Sequence, residues 1–533
     1  MRKGLFVLLL LLGGCQPSPI EVTPTPELVV TSMFEGFGAV EEAETAVSTP
    51  TALPILPTQA VAEEETAVSA SNTIREISIL YTNDEHGWML GTEKGAGAAN
   101  LLGLWQEVEG YQPNGSTIIL SGGDMWTGPA ISTWFQGESM AQVMNQMGYA
   151  AAAVGNHEFD FGLDVLRQRA EESSFPFVSA NIRRKSDGSV PTDLGIQPYV
   201  LQTVNEVVVG IIGLTTTTTP VTTNPVNVSE FEFIDYATAL EDVVPQAKAA
   251  GAELILVPAH ICRAEVMALA QQIGALGVHL LGGGHCNELF AETVNGMVVL
   301  ESGGNMGSYA WATLQFDTAT DEVVASAVGV RQNQDGVADA GLAETVGGWE
   351  TAVSAELDVV IGYSANGLEQ RGAAMQTLVT NAWLDAFPTA DAAITNLGGF
   401  RAPLPPGEIT LGGLITVLPF SNVIVDVAMT GKQLRELFML ADGEAAIGGL
   451  DRVQGQLTLT RTGEIVDPEK IYHILVNDFM YAGGDNYGVL AVYDPNAYNT
   501  SVDWRQPVID WILAQDSSPD RPIDEAIQTL VGE

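Results

Sequence analysis

Five short polar clusters hold the residues of this chain best suited to do chemistry, and each begins where an apolar run stops. They are Asn83-Asp84-Glu85-His86-Gly87, Gly122-Gly123-Asp124, Gly155-Asn156-His157-Glu158, Ala259-His260 and Gly284-His285-Cys286-Asn287. The chain has 6 histidines, and His86, His157, His260 and His285 all fall in these clusters. A carboxylate that bridges two divalent cations, with neutral nitrogen and oxygen donors around it, suits hydrolysis of a phosphate ester. Asp84 and His86 stand two residues apart, where a turn can aim both at one ion. Asp124 follows two glycines, which let backbone approach the ions closely, and is the expected bridge. Asn156, His260, His285 and Asn287 supply the remaining donors. His157 is too near Asn156 to be needed as a ligand, and is expected to stabilise charge developing on phosphorus or on the leaving oxygen, oriented by Asp160.

These residues need elements to carry them. Ile77 to Tyr81, Thr117 to Leu120, Ala150 to Val154, Val207 to Leu214, Leu254 to Val257 and Val278 to Leu281 read as buried strands. Helical periodicity occupies Ala98 to Glu109 and Ser139 to Met147. Strands alternating with helices predict an α/β domain with its ligands beyond the carboxyl ends of the strands, where all five clusters fall. The polar stretch Gln332 to Gly341 marks a boundary, and Gly347 to Val360 is expected to be a linking helix. A second α/β unit follows, with strands at Ile394 to Asn396, Val423 to Met429 and Ile471 to Val476. Its helix at Lys432 to Leu440 is expected to be capped by Thr430.

A net charge of -45, from 21 basic and 66 acidic residues, argues against a nucleic-acid partner. A phosphate site here must carry local positive charge of its own, as bound cations would. At the start, Arg2-Lys3, the short apolar run Leu5 to Leu12, and Leu12-Gly13-Gly14-Cys15 resemble a bacterial lipobox. That likeness implies a signal peptide over 1–14, acylation of Cys15 and a membrane tether by lipid alone. Residues 15–72 read as a Pro/Thr/Glu-rich spacer, in which Glu44-Thr45-Ala46-Val47-Ser48 recurs as Glu65-Thr66-Ala67-Val68-Ser69. The two further cysteines, Cys262 and Cys286, each lie one or two residues after a candidate ligand. A disulfide and two free thiols are both open readings.

Downstream lie Arg371, then Asn396-Leu397-Gly398-Gly399-Phe400-Arg401, Leu418-Pro419-Phe420 and Phe479-Met480-Tyr481-Ala482-Gly483-Gly484-Asp485. Arg371 and Arg401 suit phosphate, Phe420 and Phe479 could stack on a planar base, and Asp485 could accept from ribose hydroxyls.

Taken together, the five clusters resemble the calcineurin-like metallophosphatases. With the downstream motifs, the chain from Ile74 onward resembles the 5′-nucleotidase family, which includes bacterial UDP-sugar hydrolase and animal ecto-5′-nucleotidase. The resemblance implies a four-layer α/β/β/α domain over 73–331, a linker with a helix over 332–361, and a smaller α/β substrate-binding domain over 362–533. It implies two cations (Zn, Mn or Co), one held by Asp84, His86, Asp124 and Asn287, the other by Asp124, Asn156, His260 and His285. His157 and Asp160 match the family's catalytic pair. Phe420 and Phe479 would hold the base, Asn396 its edge, Asp485 the ribose, and Arg371 and Arg401 the phosphates. Leu397 stands where the family usually has Gly, and is expected to tighten the base pocket. The implied activity is extracytoplasmic hydrolysis of nucleoside 5′-phosphates by metal-activated water. Hydrolysis of UDP-sugars, dinucleotide pyrophosphates or 2′,3′-cyclic nucleotides is the alternative, and a non-catalytic surface lipoprotein is the remote one. A thiosulfohydrolase shares the metal domain, but the base-stacking pair argues against it.

Overall fold

Period-two burial organises the first half of the molecule into layers. In the strand Ile74–Thr82, Ile77, Ile79 and Tyr81 join one core while Leu80 joins another. In Leu254–Val257, Leu254 and Leu256 share the first core, and Ile255 and Val257 turn to a third. Alternate residues of a strand point to opposite faces, so the shared core is the interface of two sheets. Helices such as Ala98–Val108 and Glu138–Met147 cover the outer face of one sheet, and Tyr236–Ala249 and Arg263–Gln272 that of the other. The result is the expected α/β/β/α sandwich. Each fully buried aliphatic side chain in it contributes about 1.5–3 kcal/mol.

The structure, a computed structural model, describes residues 73–532. The expected signal peptide, Cys15 and the expected spacer lie outside these residues. The first sheet has seven strands, with Ile74–Thr82, Thr117–Ser121, Ala151–Ala153, Phe177–Val178 and Ile196–Gln197 running parallel. Ser308–Asp317 and Glu322–Gln332 close its edge antiparallel. The second sheet has six strands, with Val207–Ile212, Leu254–Val257, Leu280–Gly282 and Met297–Ser302 parallel between antiparallel edges. Both parallel centres place strand carboxyl ends, and hence the polar clusters, at one end of the sandwich.

The linking helix spans Ala340–Leu357 and so starts seven residues before the expected position. The Asp339 carboxylate caps it by accepting from the Leu342 amide, and Leu342 and Val346 bury against the helices of the first half. Gly341, Gly347 and Gly348 mask this helix in the sequence, because glycine weakens any helical signal.

The second half is built on a five-stranded sheet in the order Ala445–Gly448, Ala392–Asn396, Ile471–Asn477, Val423–Thr430, Tyr498–Asp503. Helices Ala373–Ala386 and Gln506–Ala514 pack on one face and Gly431–Ala441 on the other. Thr430 caps the last of these reciprocally with Gln433. Among the described residues no helix is long and apolar enough to cross a membrane.

Candidate active site

The strand Ile74–Thr82 ends at Asn83, and the chain then turns through left-handed backbone at Asp84 (φ 49°) and His86 (φ 46°). Asp124 (φ 60°), His285 (φ 72°) and Asn287 (φ 55°) share that conformation, which costs a non-glycine residue on the order of 1–2 kcal/mol. Such strain persists only where the surroundings fix it, and here hydrogen bonds do so. The Asp84 amide donates to the Gly123 carbonyl at 2.8 Å, and the His86 amide to the Asp124 carbonyl at 2.9 Å. Asn83 donates to the Asp84 carboxylate at 2.7 Å and accepts from the Ser302 amide at 2.7 Å. A Cβ on Gly155 would overlap the Asp124 carboxylate, so that position needs glycine.

Two buried carboxylates that the motif reading left without a role brace these loops. Glu158 accepts from the amides of Asp124 (2.9 Å), Met125 (2.8 Å) and Gly155 (2.6 Å), joining two clusters through one side chain. Glu85 accepts from the hydroxyls of Thr82 (2.5 Å) and Ser121 (3.0 Å). Burial pushes Glu158 up to about 7 and Glu85 up to about 8. The only signal for either in the sequence is its place inside a cluster.

The donor atoms converge on Asp124. Nε2 of His260 is 2.9 Å from its Oδ2, and Nε2 of His86 and of His157 are each 4.0 Å from it. Nε2 of His260 also lies 3.2 Å from Oδ1 of Asn156 and 3.2 Å from Nδ1 of His285. Among the described residues, two groups bring their donor atoms within 4.8 Å of one another, close enough to hold a cation: Asp124, His260 and His285, and His86, Asp124 and His157. Asp124 belongs to both.

Ring tautomers follow from the partners. A carbonyl can only accept, so Nδ1 of His86 donates to the Thr127 carbonyl (2.9 Å) and Nδ1 of His260 to that of Gly122 (2.9 Å). Each ring thereby turns Nε2 to the cluster, the orientation a metal-ligating histidine needs. Burial opposes charge on His260, yet Asp124, Asp84 and Glu158 outweigh it and push the ring up to about 10. Carboxylate and imidazole donors gathered so closely form a set that a divalent cation fits.

His157 differs. Its Nδ1 lies 2.6 Å from Oδ2 of Asp160, and Oδ1 of Asp160 accepts from the buried Thr223 hydroxyl at 2.9 Å. Burial works against a charge on His157, but Asp160 and Asp124 hold its pKa above the usual histidine value. Thr223 lies in a threonine-rich loop whose repetition resembles spacer and carries no motif.

The second half supplies the opposite wall. A cavity of about 250 Å³ is lined by Asp84, His86, Asp124, Asn156, His157, Asp160, His285 and Asn287 from the first half, and by Asn396, Arg401, Phe420, Phe479 and Asp485 from the second. The rings of Phe420 and His157 stack with centroids 5.8 Å apart. Asn396 donates to the Asp485 carboxylate at 2.7 Å and accepts from Asn477 at 2.8 Å. A Cβ on Gly484 would overlap the Phe479 ring, which gives the Gly-Gly pair its place. Arg371 does not line this cavity. It lines an adjoining polar one of about 260 Å³ with Trp88, Thr127, Asn305 and Gln370, and the two cavities share His86, Asn287 and Arg401. Leu397 lines neither; it packs against the core of the second half, so the expected tightening of the base pocket does not follow. Cys262 and Cys286 form a disulfide.

Residues 352–492 match the model of the 5′-nucleotidase C-terminal domain. The chain is 28% identical to the protein UshA of Escherichia coli K12 over 506 residues, covering 82% of this chain and 90% of that one. It is 26% identical to the 5′-nucleotidase of Bos taurus over 490 residues, covering 78% and 84%. Its fold is that of the 5′-nucleotidase precursor of Thermus thermophilus, with a TM-score of 0.71 at 24% identity over 83% of this chain and 97% of that one. The match over residues 352–492 and the likeness to UshA and to the bovine 5′-nucleotidase along most of each chain agree with the residues gathered around Asp124: the chain resembles the 5′-nucleotidases and carries their C-terminal domain.

Proposed function

We propose that this chain is an extracytoplasmic, metal-dependent 5′-nucleotidase that hydrolyses nucleoside 5′-phosphates to nucleoside and phosphate. One observation carries the reading: a single cavity joins the donor cluster around Asp124 to Phe420, Phe479 and Asp485. Hydrolytic and nucleotide-binding groups thus face one another across a space fit for a small ligand.

Asp84, His86, Asp124 and Asn287 would hold one cation, and Asp124, Asn156, His260 and His285 the other. Cations so bound would clamp phosphoryl oxygens and lower the pKa of a water (Lewis-acid chemistry open to Zn, Mn or Co). Arg401, beside His86, orients the phosphate. His157, fixed by Asp160, presents Nε2 toward the cluster, where a protonated ring donates to phosphoryl or leaving oxygen. Phe420 and Phe479 hold the base, Asn396 its edge and Asp485 the ribose. The catalytic half corresponds to 73–331 and the substrate half to 362–533. Acylation of Cys15 would tether the enzyme to the membrane.

The adjoining cavity favours a second reading on the same scaffold. It opens beyond His86 and Arg401 and carries Arg371, Gln370, Asn305 and Trp88, which suit a second phosphate or a sugar. Nucleotide pyrophosphates such as UDP-sugars would extend into it. Phosphate release from AMP, UMP formation from UDP-glucose and adenosine monophosphate formation from 2′,3′-cAMP, with Mn²⁺, Co²⁺ or Zn²⁺ and with chelator, separate the readings. Absence of turnover on all three with every metal would refute hydrolysis.

A further inference from the structure

We propose that the Cys262–Cys286 disulfide is a positioning brace of the metal centre, holding His285 where it completes the group formed by Asp124, Asn156 and His260. The inference rests on the reading of that group as a cation site. The bond joins the two loops that bear its histidines: Cys262 lies two residues after His260 and Cys286 directly after His285, with Cα atoms 5.1 Å apart across 24 residues of sequence.

The two ends of the bond differ in their setting. Cys262 is the N-cap of the helix Arg263–Gln272, and Glu265 completes a capping box there. The next strand carboxyl end, by contrast, opens into a turn in which residues 286–289 are exposed. His285 and Asn287 hold left-handed backbone in that turn. Hydrogen bonds fix its flanks, from the Gly284 amide to the Ile261 carbonyl at 2.9 Å and from the Glu288 amide to Glu301 at 2.7 Å. At the centre, the His285 amide donates to the Asp84 carboxylate at 2.8 Å. The disulfide couples the middle of this turn to a helix end and so fixes the peptide planes that aim the His285 ring. Of the other group, Asp84, His86 and Asp124 stand on loops that the bond does not join, and only Asn287 shares the turn.

The test is Mn²⁺ binding by chelator-stripped, full-length protein, since Mn²⁺ prefers oxygen and imidazole donors to thiols. Three forms are titrated: oxidised parent, parent reduced with a phosphine and desalted, and Cys262→Ser/Cys286→Ser. Loss of the bond is expected to weaken one binding phase roughly ten- to hundredfold, as loss of a ligand's supporting partner does, and the other phase clearly less, because only Asn287 of that group shares the turn. The weakened phase is the one that His285→Ala abolishes, and reoxidation of the reduced parent restores it. Unchanged affinities, or equal weakening of both phases, would overturn the brace. If the double variant does not fold, the reduced parent decides in the same terms. A reduced parent that itself unfolds by circular dichroism assigns the bond to the fold at large and also overturns the proposal. Oxidised parent that binds no Mn²⁺ at all refutes the cation reading instead.

Discussion

Arg401 brings a guanidinium nitrogen within 3.1 Å of Nε2 of His86, so a side chain of the second half touches a donor of the first. With Nδ1 of His86 donating to Thr127, Nε2 accepts this bond, and the guanidinium stands beside the donor cluster in the cavity it helps to line. Arg401 is therefore the expected partner of the phosphate beside the cations. Arg401→Ala should lower kcat/KM for AMP by roughly a hundredfold, and Arg401→Lys should recover only part of it, since lysine lacks the planar fork. Full recovery in Arg401→Lys would show that charge alone matters.

Thr223 reaches His157, the proposed catalytic histidine, through Asp160. Removing its hydroxyl deprives Asp160 of one hydrogen bond, a net effect of about 0.5–1.5 kcal/mol. Thr223→Val should lower kcat roughly two- to tenfold with KM unchanged, and Thr223→Ser should restore it. A rise in KM alone would place Thr223 in substrate binding.

Phe420 stacks on His157 and lines the cavity, so it serves the base only if nucleotides suffer selectively from its loss. Base stacking on an aromatic side chain contributes about 1–3 kcal/mol. Phe420→Ala should raise KM for AMP roughly tenfold and spare an aryl phosphate. Equal losses on both substrates would remove the stacking role.

Much of this was readable from residue type and position. Apolar runs such as Leu254 to Val257 are strands because every residue in them is buried, and the polar residues that end them have no other place than the site. What stayed hidden depends on distant partners. Glu158 resembles any surface carboxylate until its acceptor oxygens are seen on amides of Asp124 and Gly155. Thr223 lies 63 residues from Asp160, in a loop of near-identical threonines. The pairing of Cys262 with Cys286 required the two loops to meet, and spacing along the chain does not decide that.

His279 offers a pH test away from the site. Burial, with Lys248 nearby, depresses its pKa from 6.5 to about 4, and its Nδ1 accepts from the Ile255 amide at 3.0 Å. Between those values the unfolded chain takes up a proton that the folded chain refuses. Stability from this residue is thus complete above about pH 6.5, falls as pH drops toward 4 and levels off below, by about 3 kcal/mol at most. His279→Asn keeps an acceptor and cannot titrate, so its Tm should fall less than that of the parent from pH 7 to 4. Identical slopes would contradict the assignment.

The central claim is that the cluster around Asp124 performs hydrolysis, and phosphate release from AMP by Asp124→Ala tests it most directly. Asp124 is the residue shared by both candidate cation groups. The variant, still folded by circular dichroism, should lose at least about a thousandfold in kcat with any added metal, in line with the loss of several kcal/mol of transition-state stabilisation. Turnover within tenfold of the parent would contradict the account.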